Sequence, residues 1–346
     1  MNKAKKIWII AACAAVAVGL TIVIILSALG SKALFSSEQV KKELKTYTVD
    51  QDFSNISIKN TQYDIILLPS DDDKCRVESM EEEKLYHTVE VTGDTLTIEE
   101  VNNKKWFECF YFGFNPSNWT ETTLTVYLPK EEYKNLYLET TSGDIYAESK
   151  LTFADAELHN TSGNVIMSEI TAESISAKST SGNVHISNSD IKTELFLKST
   201  SGNTKISETN AGKITSESTS GSVSLKKTKT ENDINAHTTS GSIRFSDVEA
   251  NDISVKSTSG EAELTNSVSA GRFYVKTVSG DIELESCDGK NLNLESTSGE
   301  IEGSLLTGKK FITDTTSGDV NVPDSTGTDE CVISTTSGDI DIYVIK

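Results

Sequence analysis

The residues of this 346-residue chain that could do chemistry do not form a catalytic group. Serine recurs at regular positions, but a serine nucleophile needs a base within hydrogen-bond reach. The histidines are spread along the chain without the spacing of a catalytic triad or a zinc site. They are His87, His159, His185 and His237. The sequence therefore predicts a non-enzymatic protein with no catalytic residue, bound metal or cofactor.

A column of acidic residues makes calcium binding an alternative. These residues each follow a repeated glycine directly, and carboxylates supply the oxygen ligands that Ca²⁺ prefers. They are Asp144, Glu261, Asp281, Glu300, Asp319 and Asp339. The spacing lacks the Gly-Gly-x-Gly-x-Asp pattern of calcium-loaded β-rolls, and Asn and Ser interrupt the column. We therefore interpret the column as a solvated acidic edge.

An aromatic segment at residues 106–119 has two interpretations. The end of a stacked fold needs a cover, which predicts a cap or a protruding hairpin. The alternative is an exposed platform for a sugar, a partner protein or a lipid headgroup. The platform side chains, which are the candidate interaction surface, are Trp106, Tyr111 and Trp119.

Four cysteines follow the apolar N-terminal segment. Cys287 and Cys331 are predicted to lie two coils apart, about 10 Å along the stack, which is too far for a disulfide. We interpret both as buried small apolar residues. Cys75 and Cys109 can form a disulfide only if the irregular region brings one onto the other. Both a disulfide and two free thiols remain consistent with the sequence.

The N-terminal segment has the length and polarity of a membrane anchor. Residues 7–29 carry no charge, and a helix of that length covers about 35 Å, enough for the hydrocarbon core of a bilayer. The lysines within residues 1–6 favour a cytoplasmic N-terminal tail. The sequence predicts a single-pass transmembrane helix at 7–29 and an external juxtamembrane spacer at 30–45. A cleaved signal peptide is the alternative, although its apolar region is usually shorter.

The charge of the chain is strongly negative. There are 52 acidic against 32 basic side chains, which gives a net charge of −20. Since the segment before Ile7 contributes three lysines and no acid, the rest carries −20 − 3 = −23. A chain with this charge repels phosphate backbones, so nucleic acid is excluded as a partner.

An internal repeat defines most of the chain. A Ser-Gly pair recurs at intervals of 19 or 20 residues, preceded by Thr in every copy but one and followed by a polar residue. We call the repeated glycines the corner glycines. They are Gly143, Gly163, Gly182, Gly202, Gly221, Gly241, Gly260, Gly280, Gly299, Gly318 and Gly338. Glycine suits a sharp corner because it can adopt positive φ.

Apolar residues alternate with polar ones on both sides of each corner. In one copy, Leu195 and Leu197 precede Gly202, and Ile206 follows it. This period of two predicts two short strands per repeat, each with one buried face. A coil of about 19.5 residues cannot bury that face alone, but stacked coils can. The predicted fold is an all-β, single-stack β-solenoid.

The chain is predicted to form one elongated domain beyond the spacer. Residues 46–346 make up the extracellular β-solenoid. Within it, residues 46–139 form irregular N-terminal coils or a cap, including the aromatic insertion at 106–119. The regular Thr-Ser-Gly repeats occupy residues 140–346.

This arrangement resembles the bacterial putative-adhesin β-strand-repeat family, also called LiaG-like, a domain-of-unknown-function family. The resemblance covers about residues 46–346. It rests on a strand ending at Leu68-Pro69-Ser70, on Thr-Leu-Thr-Val-Tyr-Leu-Pro at 123–129, and on Leu-Tyr-Leu-Glu-Thr-Thr-Ser-Gly-Asp-Ile at 136–145 with its repeats. It implies a location in a Gram-positive-type cell envelope, an adhesin label and an association with envelope stress, and it brings no catalytic residues.

The favoured function is a membrane-anchored, cell-surface adhesin or interaction scaffold with a protein or glycan partner at the envelope. One alternative is an accessory of envelope-stress sensing that binds another membrane protein. A more distant alternative is a carbohydrate-active β-helix enzyme. The last strand, at residues 339–346, is expected to leave an unpaired edge, which predicts self-association through the C-terminal coil. The opposing possibility is that Asp339 and Asp341 discourage such pairing.

Overall fold

The computed structural model describes residues 41–72, 74–104, 122–129, 132–148 and 150–345. The segment predicted to cross the membrane, residues 7–29, lies outside these ranges, and so does the aromatic insertion with Trp106, Tyr111 and Trp119. Among the described residues, no helix has the length and apolar character needed to cross a membrane.

The chain divides into two compact units. The smaller comprises Met1–Glu43, Glu81–Tyr86 and Val101–Thr120, and the larger comprises Leu44–Met80, His87–Glu100 and Glu121–Lys346. In the described part of the smaller unit, Lys104 forms an ion pair with Glu82 at 2.5 Å. The larger unit is a β-solenoid of about ten turns.

The described chain folds into 28 strands. They are β1 Glu43–Val49, β2 Asn55–Lys59, β3 Asp64–Pro69, β4 Cys75–Glu81, β5 Leu85–Thr92, β6 Thr95–Asn102, β7 Thr123–Leu128, β8 Glu132–Thr140, β9 Ile145–Glu148, β10 Thr152–Asn160, β11 Val165–Ser168, β12 Thr171–Ser179, β13 Val184–Ser187, β14 Asp190–Ser199, β15 Thr204–Ser207, β16 Asn210–Ser218, β17 Val223–Thr230, β18 Asp233–Thr238, β19 Ile243–Ala250, β20 Asp252–Ser257, β21 Ala262–Thr265, β22 Val268–Lys276, β23 Ile282–Glu295, β24 Ile301–Leu305, β25 Lys310–Ser317, β26 Val320–Asn321, β27 Glu330–Ser337 and β28 Ile340–Val344.

The strands stack in two parallel ladders. The first ladder runs through the even-numbered strands from β8 to β22 and then the second half of β23. The second ladder runs through the odd-numbered strands from β9 to β21 and then the first half of β23. The prediction of an all-β solenoid with two strands per repeat is confirmed.

The core consists of the apolar residues that the repeat pattern places inward. Leu195, Leu197 and Ile206 are fully buried, and the same positions are buried in the neighbouring coils. Each such side chain contributes about 1.5–3 kcal/mol when it is removed from water. The stack is therefore stabilised by columns of mainly apolar side chains, which Thr204 and Ser216 interrupt with a buried hydrogen bond of 2.8 Å.

At the N-terminal end, the order of the coils in space differs from their order in the sequence. Strand β2 lies between β6 and β8, and β3 lies between β7 and β9. The first coil of the chain is thus covered by the coil that follows it. The apolar alternations of β2, β3, β6, β7 and β8 therefore form coils of the same stack, whereas β4 pairs antiparallel with β7.

The C-terminal end has the same inversion. Strand β27 lies between β23 and β25, and β28 lies between β24 and β26. Strand β28 is paired on both sides at Ile340 and Asp341, so the expectation of an open edge is wrong there. From Ile342 to Val344 it pairs with β24 alone. The outermost coil is that of β25 and β26, and there Val320 is 44% exposed at a position that is buried in other coils. Cys331 consequently pairs directly with Leu292, in the second half of β23, and lies one coil from it. The order of the coils in the sequence would place Cys331 two coils from Leu292.

A column of strained residues marks a second corner of the solenoid. In the described part of the chain, seven non-glycine residues have φ between 47° and 58°, and each comes six positions after a corner glycine. They are Glu169, Asn188, Glu208, Lys227, Asp247, Asn266 and Ser286. Asn and Asp tolerate this left-handed conformation, whereas it costs other side chains about 1–2 kcal/mol.

Glu169→Gly is expected to stabilise the protein by about 0.5–1 kcal/mol, because glycine adopts positive φ without strain at a smaller cost in backbone entropy. The free energy of unfolding from urea titration of the full chain measures this. Asn188→Gly, at the same corner of the next coil, is the control and is expected to change stability little. A loss of stability in Glu169→Gly would contradict the assignment of strain to this corner.

Candidate functional site

The corner glycines are required by close stacking. In Gly182, a Cβ atom would overlap the carbonyl oxygen of Gly163, and each corner glycine from Gly163 to Gly338 meets the backbone of a stacked corner glycine in the same way. Gly318 alone among the corner glycines has positive φ. The expectation that the corners need positive φ is therefore wrong for the rest. The requirement is that the backbones of neighbouring coils touch.

A ladder of hydroxyl groups supports these corners from inside. The Ser179 hydroxyl donates to the carbonyl oxygen of Gly163 at 3.1 Å and accepts from the backbone N–H of Gly182 at 2.9 Å. Ser199 repeats both bonds in the next coil. Because each hydroxyl satisfies groups of two coils, the recurring Ser and Thr three positions before the glycine are structural. The Thr-Ser-Gly pattern alone does not single out this position.

The polar column after the corner glycines forms a second hydrogen-bonded ladder. Asp144 Oδ1 accepts from the backbone N–H of Asn164 at 2.7 Å. Asn164 Oδ1 then accepts from Asn183 at 3.1 Å, and Asn183 Oδ1 from Asn203 at 2.9 Å. The side chains thereby bond to successive coils. Within the ranges that the structure describes, no group of three or more His, Cys, Asp or Glu side chains is placed to hold a metal ion.

The histidines occupy separate environments. His87 is buried with Nδ1 3.2 Å from the Ser79 hydroxyl, and His159 contacts Glu157 at 2.8 Å. Burial, with a smaller effect of Lys205, lowers the pKa of His185. The structure does not bring these side chains together, so they form no joint proton-transfer site.

Among the residues that the structure describes, three cysteines are free and buried, namely Cys75, Cys287 and Cys331. Burial raises the thiol pKa of Cys75 and Cys331 to about 12 and that of Cys287 to about 11. Since the thiolate is the reactive form, these groups are unreactive at neutral pH. Cys109, the alternative partner of Cys75, lies outside the described residues.

The outward surface of the first ladder contains a shallow groove of about 300 Å³. Its lining residues are Thr215, Glu217, Asn235, Ala236, His237, Ser254 and Lys256. The floor follows one register column, in which Thr215 pairs with Asn235 and Asn235 with Ser254. The column continues to Phe196 on one side and Tyr274 on the other. The positions of Phe196 and Tyr274 are four strand spacings apart, or about 19 Å. Their rings therefore flank a floor of hydroxyl and amide groups.

Cations lie against both flanking rings. Lys178 Nζ is 5.7 Å from the centre of the Phe196 ring. At the other end, Lys256 Nζ and Arg272 Cζ are 5.6 Å and 4.4 Å from the centre of the Tyr274 ring. These distances permit cation–π attraction.

Most outward cations of the solenoid are paired with a carboxylate one coil away, at 2.6–3.1 Å. Within the described part of the chain, Lys256 and Arg272 are exceptions and make no ion pair. Their charges are therefore available to an anionic group in or beside the groove.

The outward surface of the second ladder becomes acidic toward its C-terminal end. Glu263, Glu283, Glu302 and Asp341 are successive partners in one register column. Burial raises the pKa of Glu283, and the surrounding carboxylates, first Glu263 and then Glu302, raise it further. Like charges directly opposite one another destabilise a sheet.

Glu283→Gln is expected to stabilise the protein at pH 7, by less than about 1 kcal/mol. Because the pKa of Glu283 is raised in the folded state, the folded protein binds a proton at this carboxylate more tightly than the unfolded chain does. The destabilisation by the Glu283 charge therefore disappears as the pH falls through and below the raised pKa. The gain should therefore shrink by pH 4. Urea unfolding at both pH values measures it, with Glu194→Gln, which loses a 3.0 Å ion pair with Lys213, as the control. A gain in both variants would argue against like-charge repulsion.

Comparison with known proteins places the fold in a family. The family model described as Toastrack DUF4097 matches residues 53–247 and 231–346. No curated protein matches the sequence.

Several solved bacterial structures resemble the chain. A putative lipid binding protein from Parabacteroides distasonis ATCC 8503 is 17% identical, with a TM-score of 0.42 and coverage of 88% of this chain and 98% of that one. A putative adhesin from Parabacteroides merdae ATCC 43184 is 13% identical, with a TM-score of 0.41 and coverage of 88% and 97%. A putative adhesin from Bacteroides fragilis NCTC 9343 is 15% identical, with a TM-score of 0.30 and coverage of 88% and 99%. Similarity at this level carries no argument about function.

Proposed function

The chain belongs to the Toastrack DUF4097 family, and we propose that it is a non-enzymatic interaction protein that presents a β-solenoid at the cell surface as an adhesin or scaffold. One observation carries the proposal, namely the contrast between inward and outward positions. Inward positions are apolar in almost every coil, as in the fully buried Leu195, Ile214 and Ile234. Outward positions of the same strands vary freely, as in Phe196, Thr215 and Asn235.

This contrast supports a binding role because it separates stability from recognition. The core columns and the hydrogen-bonded ladders hold the backbone whatever the outward residue is. Each coil then adds outward side chains at a strand spacing of about 4.8 Å. Repeat proteins use such extended, rigid surfaces to bind partners.

We further propose that residues 7–29 anchor the protein in the membrane and that the solenoid lies on the outer side. The support is the uncharged length of that segment and the placement of its flanking lysines. Protease added to intact, wall-stripped cells is expected to remove the solenoid, whereas a cytoplasmic protein control stays whole. Protection of the solenoid would reverse the proposed topology.

Photo-crosslinking in living cells tests the binding role. A benzophenone amino acid is placed in the full chain at outward positions of either ladder, such as Asn235 and Ser224, with the buried Ile206 as a matched inward control. Adducts to an envelope polymer or a host-surface molecule, at outward positions alone, are expected. Adducts to one membrane protein would favour a role in envelope-stress sensing, and the absence of adducts at all outward positions would contradict the proposal.

A further inference from the structure

We propose that the groove between Phe196 and Tyr274 binds a glycan chain that carries an acidic group. This inference rests on the proposed binding function and names the ligand class for one face. The groove is a site that neither the repeat nor the core requires, since its lining side chains, Ala236 apart, point away from the buried columns.

The floor of the groove suits a polyol. Thr215, Asn235 and Ser254 supply short hydroxyl and amide groups that both donate and accept hydrogen bonds. Glu217 and His237 extend these groups along the rim. Three successive coils, spaced about 4.8 Å apart, offer hydrogen-bonding groups along an extended chain. The aromatic rings at the two ends have cations over them, Lys178 at Phe196 and Lys256 with Arg272 at Tyr274, and so hold positive charge beside the floor.

Other classes of ligand fit the groove less well. A lipid tail needs an apolar floor, and the only apolar lining residue, Ala236, is 2% exposed. A peptide that adds a strand needs a free sheet edge, but β16, β18 and β20 are each paired on both sides in this ladder. Nucleic acid is disfavoured because it carries a phosphate at every nucleotide, whereas Lys256 is the one lysine or arginine among the lining residues of the described groove.

The unpaired cations select for an acidic sugar. Lys256 lines the groove, and both Lys256 and Arg272 lie against the Tyr274 ring without a carboxylate partner in the described chain. A carboxylate seated there would form charge-assisted hydrogen bonds, which are stronger than neutral ones. The acidic group is therefore expected at the Tyr274 end of the groove.

Calorimetric titration of the detergent-solubilised full chain tests this, with trigalacturonate as the acidic probe and neutral galactotriose as its counterpart. The acidic trisaccharide is expected to bind about tenfold more tightly, since a hydrogen bond to a charged group contributes about that factor. Lys256→Met should reduce this preference, since Arg272 remains, and leave the affinity for the neutral probe unchanged. Lys205→Met, which removes an exposed lysine from the second ladder, is the matched control and should bind both probes normally.

A groove-filling variant provides a second readout. Ser254→Trp is expected to abolish binding of both probes with an unchanged melting temperature, whereas Ser224→Trp, on the opposite ladder, should bind as the parent does. The inference is overturned if neither probe binds, if Ser254→Trp still binds, or if the two probes bind equally. If crosslinked adducts persist in cells when these tests fail, the proposed function stands without this site. If the adducts are absent as well, both fail.

Discussion

Gly182→Ala is expected to destabilise the solenoid by about 3 kcal/mol or more. The new methyl group would overlap the carbonyl carbon and oxygen of Gly163, which belong to the backbone of the neighbouring coil. Neither the new methyl group nor the Gly163 carbonyl can rotate away, because both are fixed to the backbone. The overlap is therefore removed only if the two coils separate at this corner. Separation would also break the hydrogen bond from the Ser179 hydroxyl to the Gly163 carbonyl oxygen, which joins the two coils. The cost therefore exceeds the usual 1–3 kcal/mol of overpacking a core.

Urea unfolding of the full chain measures the effect, with Gly93→Ala as the control. Gly93 has φ of +64°, and its added Cβ would have no atom within 4 Å. The control therefore isolates the strain of positive φ, about 1 kcal/mol. Equal losses in the two variants would mean that the corners need glycine for its φ angle and not for close stacking.

The repeat made the fold readable from the sequence. The period of 19 or 20 residues and the alternation around each corner predict two strands per coil, and the structure has them in both ladders. Every coil repeats the same local pattern, so the buried positions inferred in one coil apply to the others. Residues such as Leu197 and Ile206 were therefore assigned to the core correctly.

The inversions at the two ends could not be read in this way. The strand of Phe311 and the strand of Cys331 carry similar patterns, and either fits next to the strand of Leu292. Their spatial order depends on which coil pairs better, which is a property of three-dimensional contacts and not of spacing. The structure places Cys331 beside Leu292 and Phe311 outside it.

The groove was missed for a related reason. Thr215, Asn235 and Ser254 are common outward residues, and nothing in their spacing singles them out. The available signal was that Phe196 and Tyr274, four coils apart, are the aromatic residues in a stretch of the outward column, from Glu157 to Asn293, that is otherwise polar. The unpaired state of Lys256 becomes visible only once its neighbours in the stack are known. The aromatic platform that the sequence did single out lies outside the described residues and stays a prediction.

The C-terminal end of the solenoid contains a buried ion pair that the sequence concealed within a polar Gly-Lys-Lys segment. The Lys309 side chain is 2% exposed, and its ammonium group lies 2.6 Å from Asp288 Oδ1. It also donates to the carbonyl oxygen of Gly289 at 2.8 Å, while Thr307 donates to Asp288 Oδ2 at 2.8 Å. Asp329 is farther away, at 3.9 Å, and its side chain is 45% exposed. The pair thus links the start of the outermost coil to β23.

Asp288→Asn is expected to cost about 3 kcal/mol, because it leaves the Lys309 charge buried with only a distant carboxylate. The same change at an exposed pair, Glu173→Gln beside Lys192, should cost less than about 1 kcal/mol. Adding Lys309→Met to Asp288→Asn should restore most of the loss, because a buried ion pair can be replaced by apolar packing at little cost. Urea unfolding of the four proteins, parent included, measures these differences. If Asp288→Asn costs no more than Glu173→Gln, or if Lys309→Met deepens the loss, the pair does not hold the outermost coil in place.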